Sequence, residues 1–316
     1  MPFLTRIGSA CALLLALSAV PACAQTPAHT ARMEVVNGKP YVMVMINGRG
    51  PFRFVIDTGT GGQAIITSRL ADQLQLPVVG QARLIDPTGK GEQRAQILLI
   101  DSLNIAGVEF AGVKAVRHSL AAEDDTCQGL LGFTLFHDYL LKLDYPNHLL
   151  SLSSDALQSD GERSVLPIRM PDGVPIASLR IDGVRVDAQF DSGGAGLSLP
   201  QHLVPLFRFA SDPVLFGNGQ SLSTRFQIKV GRLGTDIHLG RYTFNRPSVE
   251  INPAFPLANF GACPMQNFAV TFDQRNHLMR LDASRKSFHL DAAPTTIRMQ
   301  NTSPLRPSDT ALVPVG

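Results

Sequence analysis

Two stretches of this chain are rich in apolar residues, many of them β-branched or aromatic, and each is interrupted by a tight-turn dipeptide. The first covers residues 42–56 with Asn47-Gly48 in the middle, and the second covers residues 176–190 with Asp182-Gly183 in the middle. Asn-Gly and Asp-Gly favour the turns that join antiparallel strands. The pattern therefore predicts two β-hairpins.

Strand-like runs punctuated by Gly, Asp-Gly and Pro continue through most of the chain, whereas helical periodicity is scarce. Ser68 to Leu76 is the clearest short helix, and Gln201 to Phe207 is its possible equivalent. We expect an all-β protein, mainly β with a few short helices.

Both predicted hairpins end on an acidic triplet, Asp57-Thr58-Gly59 in the first and Asp191-Ser192-Gly193 in the second. One such triplet arises by chance in roughly one chain in seven of this length, and its Asp then usually caps a turn. Two triplets in equivalent places can set two carboxylates side by side. Such a pair shares a proton, so one group acts as a base and the other as an acid.

The halves of the chain correspond over most of their length. The two aspartates are 134 positions apart, and Gly132 and Gly261, each followed by an Asn-His turn, are 129 apart. A long period repeated once argues against a solenoid. We expect two similar lobes facing each other across a cleft, over residues 25–157 and 158–292, with a flexible tail over residues 293–316.

On these residues the chain resembles pepsin-like and retroviral-type aspartic proteases, and most closely the bacterial aspartyl proteases that carry two retroviral-type units in one polypeptide. The resemblance covers residues 33–290. It implies a bilobal acid protease fold, with two β-barrel lobes and a central cleft. It also implies an aspartic endopeptidase in which Asp57 and Asp191 activate one water without a metal, a cofactor or a covalent intermediate.

The resemblance gives supporting roles to the rest of the triplets. Gly59 and Gly193 allow the two loops to approach each other, and the hydroxyls of Thr58 and Ser192 cross-link the loops by hydrogen bonds. These residues hold geometry and transfer no proton.

Members of this family also brace each loop with a segment of two apolar residues and a glycine. Leu130-Leu131-Gly132 matches this pattern, and Asn259-Phe260-Gly261 matches it in part. A hydroxyl residue commonly follows the triplet and bonds the neighbouring carboxylate; Thr60 supplies one, but Gly194 cannot. These departures leave open an alternative, a weak or inactive protease-like module that binds extended peptides in the cleft.

A flap over the cleft is expected about thirty residues after each aspartate. The turn-rich segments at residues 87–91 and 216–220 are the candidates for its tips. Their candidate tip residues are Thr88, Gly89, Gly217 and Asn218.

The start of the chain resembles a secretory signal peptide. Arg6 precedes an apolar run too short to span a bilayer, and Ala22-Cys23-Ala24 follows as a small-residue cleavage site. We expect cleavage after residue 24, with Gln25 as the mature start and a periplasmic or secreted location. The alternative is a lipoprotein anchored at Cys23.

Cleavage there would leave Cys127 and Cys263. An exported protein permits a disulfide between them, but loop position along a sequence does not establish the Cα separation that the bond requires. Two buried free thiols are an equal alternative.

Composition and motifs restrict the kinds of molecule that the protein is expected to bind. The net charge of +2 is small, and Lys and Arg are scattered, so nothing indicates nucleic-acid binding. His-Glu-x-x-His, Cys-x-x-Cys, phosphate-loop and Gly-x-Ser-x-Gly motifs do not occur. We expect a monomer, an internal pseudo-dimer, that acts on peptide or protein substrates and has no stable membrane span.

Overall fold

The computed structural model describes residues 28–85, 92–118, 127–220, 225–291 and 306–307. Strands form most of these residues, so the expected all-β class with a few short helices is confirmed. The signal peptide and most of the tail expected from the sequence lie outside the described residues. No helix in the described ranges is long and apolar enough to cross a membrane.

The first half contains eleven strands and one α-helix within the described residues. The helix α1 (Ser68–Leu74) is the one expected at Ser68, and a 3-10 helix covers Phe133–Phe136. The strands are β1 (His29–Arg32), β2 (Glu34–Val36), β3 (Lys39–Ile46), β4 (Arg49–Asp57), β5 (Ala64–Ile66), β6 (Val78–Ile85), β7 (Glu92–Ile105), β8 (Val108–Arg117), β9 (Gly129–Gly132), β10 (Leu140–Asp144) and β11 (Leu149–Ser153).

The second half adds the short helix α2 (Ala262–Met265) and 3-10 helices at Pro171–Gly173 and Gln201–Leu206. Its strands are β12 (Val165–Pro167), β13 (Ile176–Ile181), β14 (Val184–Asp191), β15 (Leu197–Pro200), β16 (Val214–Gln220), β17 (Arg225–Arg232), β18 (Ile237–Leu239), β19 (Tyr242–Phe244), β20 (Ser248–Asn252), β21 (Ala258–Gly261), β22 (Ala269–Asp273), β23 (Leu278–Asp282), β24 (Ser287–Phe288) and β25 (Arg306–Pro307).

Nine strands form what we call the N-terminal sheet, in the order β2-β3-β4-β9-β5-β8-β7-β6-β25, and β3 also pairs with β7 so that the sheet curls. The β3–β4 hairpin turns at Asn47-Gly48, where both residues have positive φ, as a type I′ turn requires. Strand β9 lies parallel to β4 and places Gly132 opposite Asp57.

Ten strands form the C-terminal sheet, in the order β16-β17-β20-β15-β21-β14-β13-β18-β19-β24. Its β13–β14 hairpin turns at Asp182-Gly183, again with positive φ. Strand β21 lies parallel to β14 and places Gly261 opposite Asp191. Each sheet therefore presents one aspartate at the end of a hairpin strand, beside a glycine.

A third sheet, which we call the shared sheet, takes strands from both halves in the order β1-β11-β10-β22-β23-β12. Its centre is the antiparallel pair β10–β22, where Leu141 lies opposite Phe272. A buried side-chain bond also joins the two halves, since Gln274 Nε2 donates to the carbonyl of Phe133 at 2.6 Å. The expected lobe boundary between residues 157 and 158 stays a prediction. The shared sheet takes strands from before and after that position, so it does not mark the boundary.

Candidate active site

Asp57 and Asp191 meet where the N-terminal and C-terminal sheets face each other. Each ends a strand whose preceding residues are buried, and the two side chains are 2% and 6% exposed. Their carboxyl groups are hydrogen-bonded to one another. The structure therefore brings together the two aspartates that the sequence singled out.

The residues after the two aspartates exchange hydrogen bonds. The Thr58 amide donates to Ser192 Oγ and the Ser192 amide donates to Thr58 Oγ1, both at 3.0 Å. Each hydroxyl then donates at 2.7 Å to a carbonyl of the opposite strand, Thr58 to Phe190 and Ser192 to Ile56. All four bonds are buried, and they lock the two loops in one relative position.

Glycine is required next to each carboxyl. A β-carbon on Gly193 would lie 2.3 Å from Cγ of Asp57, and one on Gly59 would lie 2.5 Å from Cγ of Asp191. Each loop therefore packs its glycine against the aspartate of the opposite loop. There is no space for a side chain at either position, so only glycine fits.

Burial and mutual repulsion control the protonation of the pair. Burial, followed by the neighbouring Asp191 charge, raises the pKa of Asp57 well above its usual value. Burial also raises the pKa of Asp191, opposed by the backbone amide of Gly194 and by the Asp57 hydrogen bond. Two carboxyls in this arrangement hold one proton between them over a wide pH range.

The hydrogen bonds around the pair are unequal. Asp191 Oδ1 accepts from the Gly193 amide at 2.9 Å and the Gly194 amide at 2.8 Å, whereas Asp57 Oδ1 accepts, among the described residues, from one backbone amide, that of Gly59, at 3.0 Å. Amide donors stabilise the ionised form. The ionised form is therefore favoured at Asp191, and the shared proton is favoured at Asp57.

The hydroxyl expected at Thr60 does not reach a carboxylate. Thr60 Oγ1 is buried and has no hydrogen-bond partner within the described part of the chain. Its methyl group instead faces Gly132, where a β-carbon would lie 3.0 Å from Thr60 Cγ2. The expectation that Thr60 bonds its neighbouring aspartate is therefore wrong.

On the C-terminal side, Gly194 makes room for an amide. A β-carbon on Gly194 would lie 2.4 Å from Asn259 Nδ2 and 2.6 Å from Asp191 Oδ2. The two departures from the family pattern therefore belong together, because Asn259 occupies the space that a side chain at residue 194 would fill.

Two further residues are linked to the pair electrostatically: Lys39 acts on the aspartates, and the aspartates act on Tyr145. The cation of Lys39, at the start of β3, lowers the pKa of Asp57 and of Asp191. Burial and the two aspartate charges raise the pKa of Tyr145, whose hydroxyl has no partner among the described residues. Neither residue adjoins a triplet in sequence, so only the fold reveals them.

The structure describes the flap candidates of the second half but not those of the first. Thr88 and Gly89 lie outside the described residues. Gly217 and Asn218 lie inside β16, because its ladder with β17 continues past them to Gln220, opposite Arg225. The expectation that they form a hairpin tip is therefore wrong.

The two remaining cysteines are free thiols in the structure. Cys127 is half-buried, and its thiol contacts the Gly129 carbonyl beside the N-terminal sheet. Cys263 is exposed on α2 of the C-terminal half. The disulfide that the sequence left open is therefore not formed, and the alternative of two buried free thiols is wrong in its burial, since Cys263 is exposed.

Comparison with known proteins supports the resemblance. Residues 42–135 match the family model described as aspartyl protease. A solved retropepsin-like aspartic protease from Rickettsia conorii is similar to the chain, with 22% identity, coverage of 40% of this chain and 92% of that chain, and a TM-score of 0.32. No curated protein gives a match. The family match confirms the retropepsin-like resemblance over a segment that contains Asp57 but not Asp191.

Proposed function

We propose that the protein is an exported aspartic endopeptidase that hydrolyses peptide bonds with a water activated between Asp57 and Asp191. One observation carries the proposal, namely two buried carboxyls that are hydrogen-bonded to each other at the junction of two sheets. The aspartyl protease family match supports the hydrolase class.

The unequal hydrogen bonding assigns the roles within the pair. Asp191, which accepts two backbone amides, is the carboxylate that takes a proton from the attacking water. Asp57, whose pKa is raised most by burial and by the Asp191 charge, donates its proton to the carbonyl oxygen of the scissile bond. A proton then passes to the leaving nitrogen, and the pair returns to its singly protonated state.

The test is cleavage of a denatured protein substrate by the purified protein between pH 3 and pH 8, with and without a statine-type transition-state analogue. Asp57→Asn and Asp191→Asn should each lower the rate by at least ~100-fold, because general acid–base catalysis is worth about that much. Asp182→Asn, in the exposed β13–β14 turn, is the matched control and should retain full activity.

The alternative function is a peptide-binding module that does not cut its ligand, and Gly194 and Asn259 are the residues that favour it. A peptide-binding module would bind the statine-type analogue but cut no substrate at any pH. Cleavage that persists in both aspartate variants would reject the Asp57 and Asp191 mechanism.

Export is part of the proposal and has its own test. We propose that the chain begins at Gln25 after removal of the leader, in the periplasm or outside the cell. Amino-terminal sequencing of the secreted or periplasmic fraction should give Gln25 first. A lipid-modified Cys23 in the membrane fraction would support the lipoprotein alternative instead.

A further inference from the structure

Four neighbouring polar residues, which we call the polar row, lie on the face of the C-terminal sheet that carries the Asp191 carboxyl. The first is Gln189, which shares that face because side chains alternate along a strand. Phe190, between Gln189 and Asp191, points to the opposite face and stacks on Phe260 in the core.

Backbone pairing extends the row across the sheet. Gln189 lies opposite Asn259, Asn259 lies opposite Ser198, and Ser198 lies opposite Glu250. Residues directly opposite one another on neighbouring strands share a face. The row therefore runs across β14, β21, β15 and β20, about 14 Å at the main chain, given a strand spacing of about 4.8 Å.

The same four positions of the N-terminal sheet are apolar. Val55 lies opposite Leu130, Leu130 lies opposite Ile65, and Ile65 lies opposite Val116. Val55, Ile65 and Leu130 are at most 4% exposed and pack with Leu84 in a small cluster that is separate from the main core. We call these four residues the apolar row.

The side chains of the polar row begin beside the catalytic pair and extend away from it. Gln189 Nε2 donates to the carbonyl of Gly59 on the opposite loop at 3.4 Å. The Asn259 amide and Asp191 Oδ2 both border the space that a side chain at residue 194 would fill. A β-carbon on Gly196 would lie 2.4 Å from Glu250 Oε1, so glycine there leaves space for the carboxyl.

Two groups of the polar row lack partners. Glu250 is half-buried, and its carboxyl makes no hydrogen bond or ion pair with any residue in the described ranges. Asn259 Oδ1 is buried and likewise has no donor there. An unpaired carboxylate that is partly shielded from water and an unpaired buried amide oxygen both raise the free energy of the protein, and a cationic hydrogen-bond donor lowers it.

Resting on the proposed function, we propose that the polar row is a subsite for a basic substrate side chain, Lys or Arg. Glu250 supplies the counter-charge, and the amide oxygen of Asn259 accepts a hydrogen bond. The apolar row, which is already packed against Leu84, provides no counter-charge on the N-terminal side. Lys and Arg have long side chains, which the polar row requires because the Glu250 carboxyl on β20 lies three strands away from the Asp191 strand.

The recognition has a pH dependence. Burial raises the pKa of Glu250 to about 7, so the free carboxyl is mostly neutral at pH 5 and mostly ionised at pH 8. Ser198 and Val230, opposite it on the neighbouring strands, carry no charge. Cys263 is a nearby titratable group, and burial, followed by the Glu250 charge, raises the pKa of its thiol. The preference for a basic side chain therefore grows from pH 5 to pH 8.

Binding of hydroxyethylene peptide analogues, in which CH(OH)–CH2 replaces the scissile amide, tests the subsite without requiring turnover. The analogues carry Arg or norleucine as the side chain directly before or directly after this group, and calorimetry measures their affinities at pH 5 and pH 8. The proteins are the unaltered chain, Glu250→Gln and the control Glu109→Gln, whose acid is exposed on β8. Circular dichroism checks that each variant is folded.

We expect Arg to bind at least tenfold more tightly than norleucine at pH 8 at one of the two positions. Glu250→Gln should remove this preference and Glu109→Gln should keep it. Equal affinities for Arg and norleucine, or a preference that survives in Glu250→Gln, would overturn the subsite. Analogue binding with an Arg preference but no peptide cleavage would overturn the proposed function instead, and failure of every analogue to bind would overturn both.

Discussion

The backbone amide of Thr58 donates a hydrogen bond to the Ser192 hydroxyl, and the backbone amide of Ser192 donates one to the Thr58 hydroxyl, both at 3.0 Å. Because each hydroxyl also donates to a carbonyl of the opposite strand, neither loop can shift without breaking buried bonds in both sheets. The position of the two carboxyls thus depends on residues that carry no charge.

Removing one of these hydroxyls should cost both stability and activity. Thr58→Ala leaves the Ser192 amide and the Phe190 carbonyl buried without partners, and we expect a loss of about 2–4 kcal/mol in the free energy of unfolding. Urea denaturation measures the loss. Thr30→Ala, on the exposed strand β1, is the control and should change stability by less than about 0.5 kcal/mol. A Thr58→Ala variant as stable as the control would contradict the arrangement.

Adding one methyl group beside the carboxyls should abolish cleavage. In Gly193→Ala the new β-carbon would lie 2.3 Å from Cγ of Asp57, so the loop must move. We expect loss of cleavage and a destabilisation of about 2 kcal/mol or more. Gly217→Ala is the matched control, because its β-carbon meets no atom within 4 Å. The idea fails if the two variants have the same activity and melting temperature.

Neutralising the nearby cation should move the pH profile of cleavage. Lys39 lowers the pKa of both aspartates, so Lys39→Met should raise both values. The alkaline limb, where the shared proton is lost, then moves to higher pH. Lys114→Met, exposed on β8, should leave the profile in place. A Lys39→Met profile that matches the unaltered one would show that this charge does not reach the pair.

The catalytic pair should make the unaltered protein less stable as pH rises. The pKa of Asp57 is raised in the folded state, so its contribution to stability is present below the unfolded value of about 4 and is lost as pH rises through the folded value. Asp57→Asn lacks this loss. We expect its melting temperature to match the unaltered protein near pH 4 and to exceed it at pH 8. Equal pH dependence in the two proteins would argue against a raised pKa.

Tyr145 and Tyr242 provide a paired test of buried hydroxyls. Tyr145 has no partner for its hydroxyl in the described ranges, whereas Tyr242 donates to the Leu281 carbonyl at 2.7 Å. Tyr145→Phe should therefore leave stability unchanged or raise it by up to ~1 kcal/mol, and Tyr242→Phe should lower it by ~1–2 kcal/mol. Thermal unfolding at one pH compares them. Equal losses would mean that the Tyr145 hydroxyl is bonded after all.

The features that sequence predicted well are local. The two hairpins were predictable because the apolar, β-branched and aromatic runs and the Asn-Gly and Asp-Gly turns lie within fifteen residues, and each hairpin ends on its aspartate. The all-β class followed from the same patterns. The strand position of Gly217 was mispredicted because glycines normally mark a turn, but here the ladder with β17 continues through it.

The features that sequence missed depend on contacts between distant residues. Lys39 acts on Asp191 from 152 positions away, and the orientation of Thr60 is set by its packing against Gly132. The polar row is an intermediate case. Gln189 could have been placed beside Asp191 by strand alternation alone, but its neighbours Ser198 and Glu250 required the register of the sheet.

The shared sheet has a consequence for how the protein is made. Strand β10 pairs with β22, which lies more than a hundred residues later in the chain. During synthesis or translocation β10 is therefore an open edge, ready to pair with any other strand, until the last quarter of the chain arrives. The same delay postpones the assembly of both carboxyls, since Gly261 beside Asp191 also comes late. The two carboxyls are thus brought into their final surroundings only after residue 261 has been added to the chain.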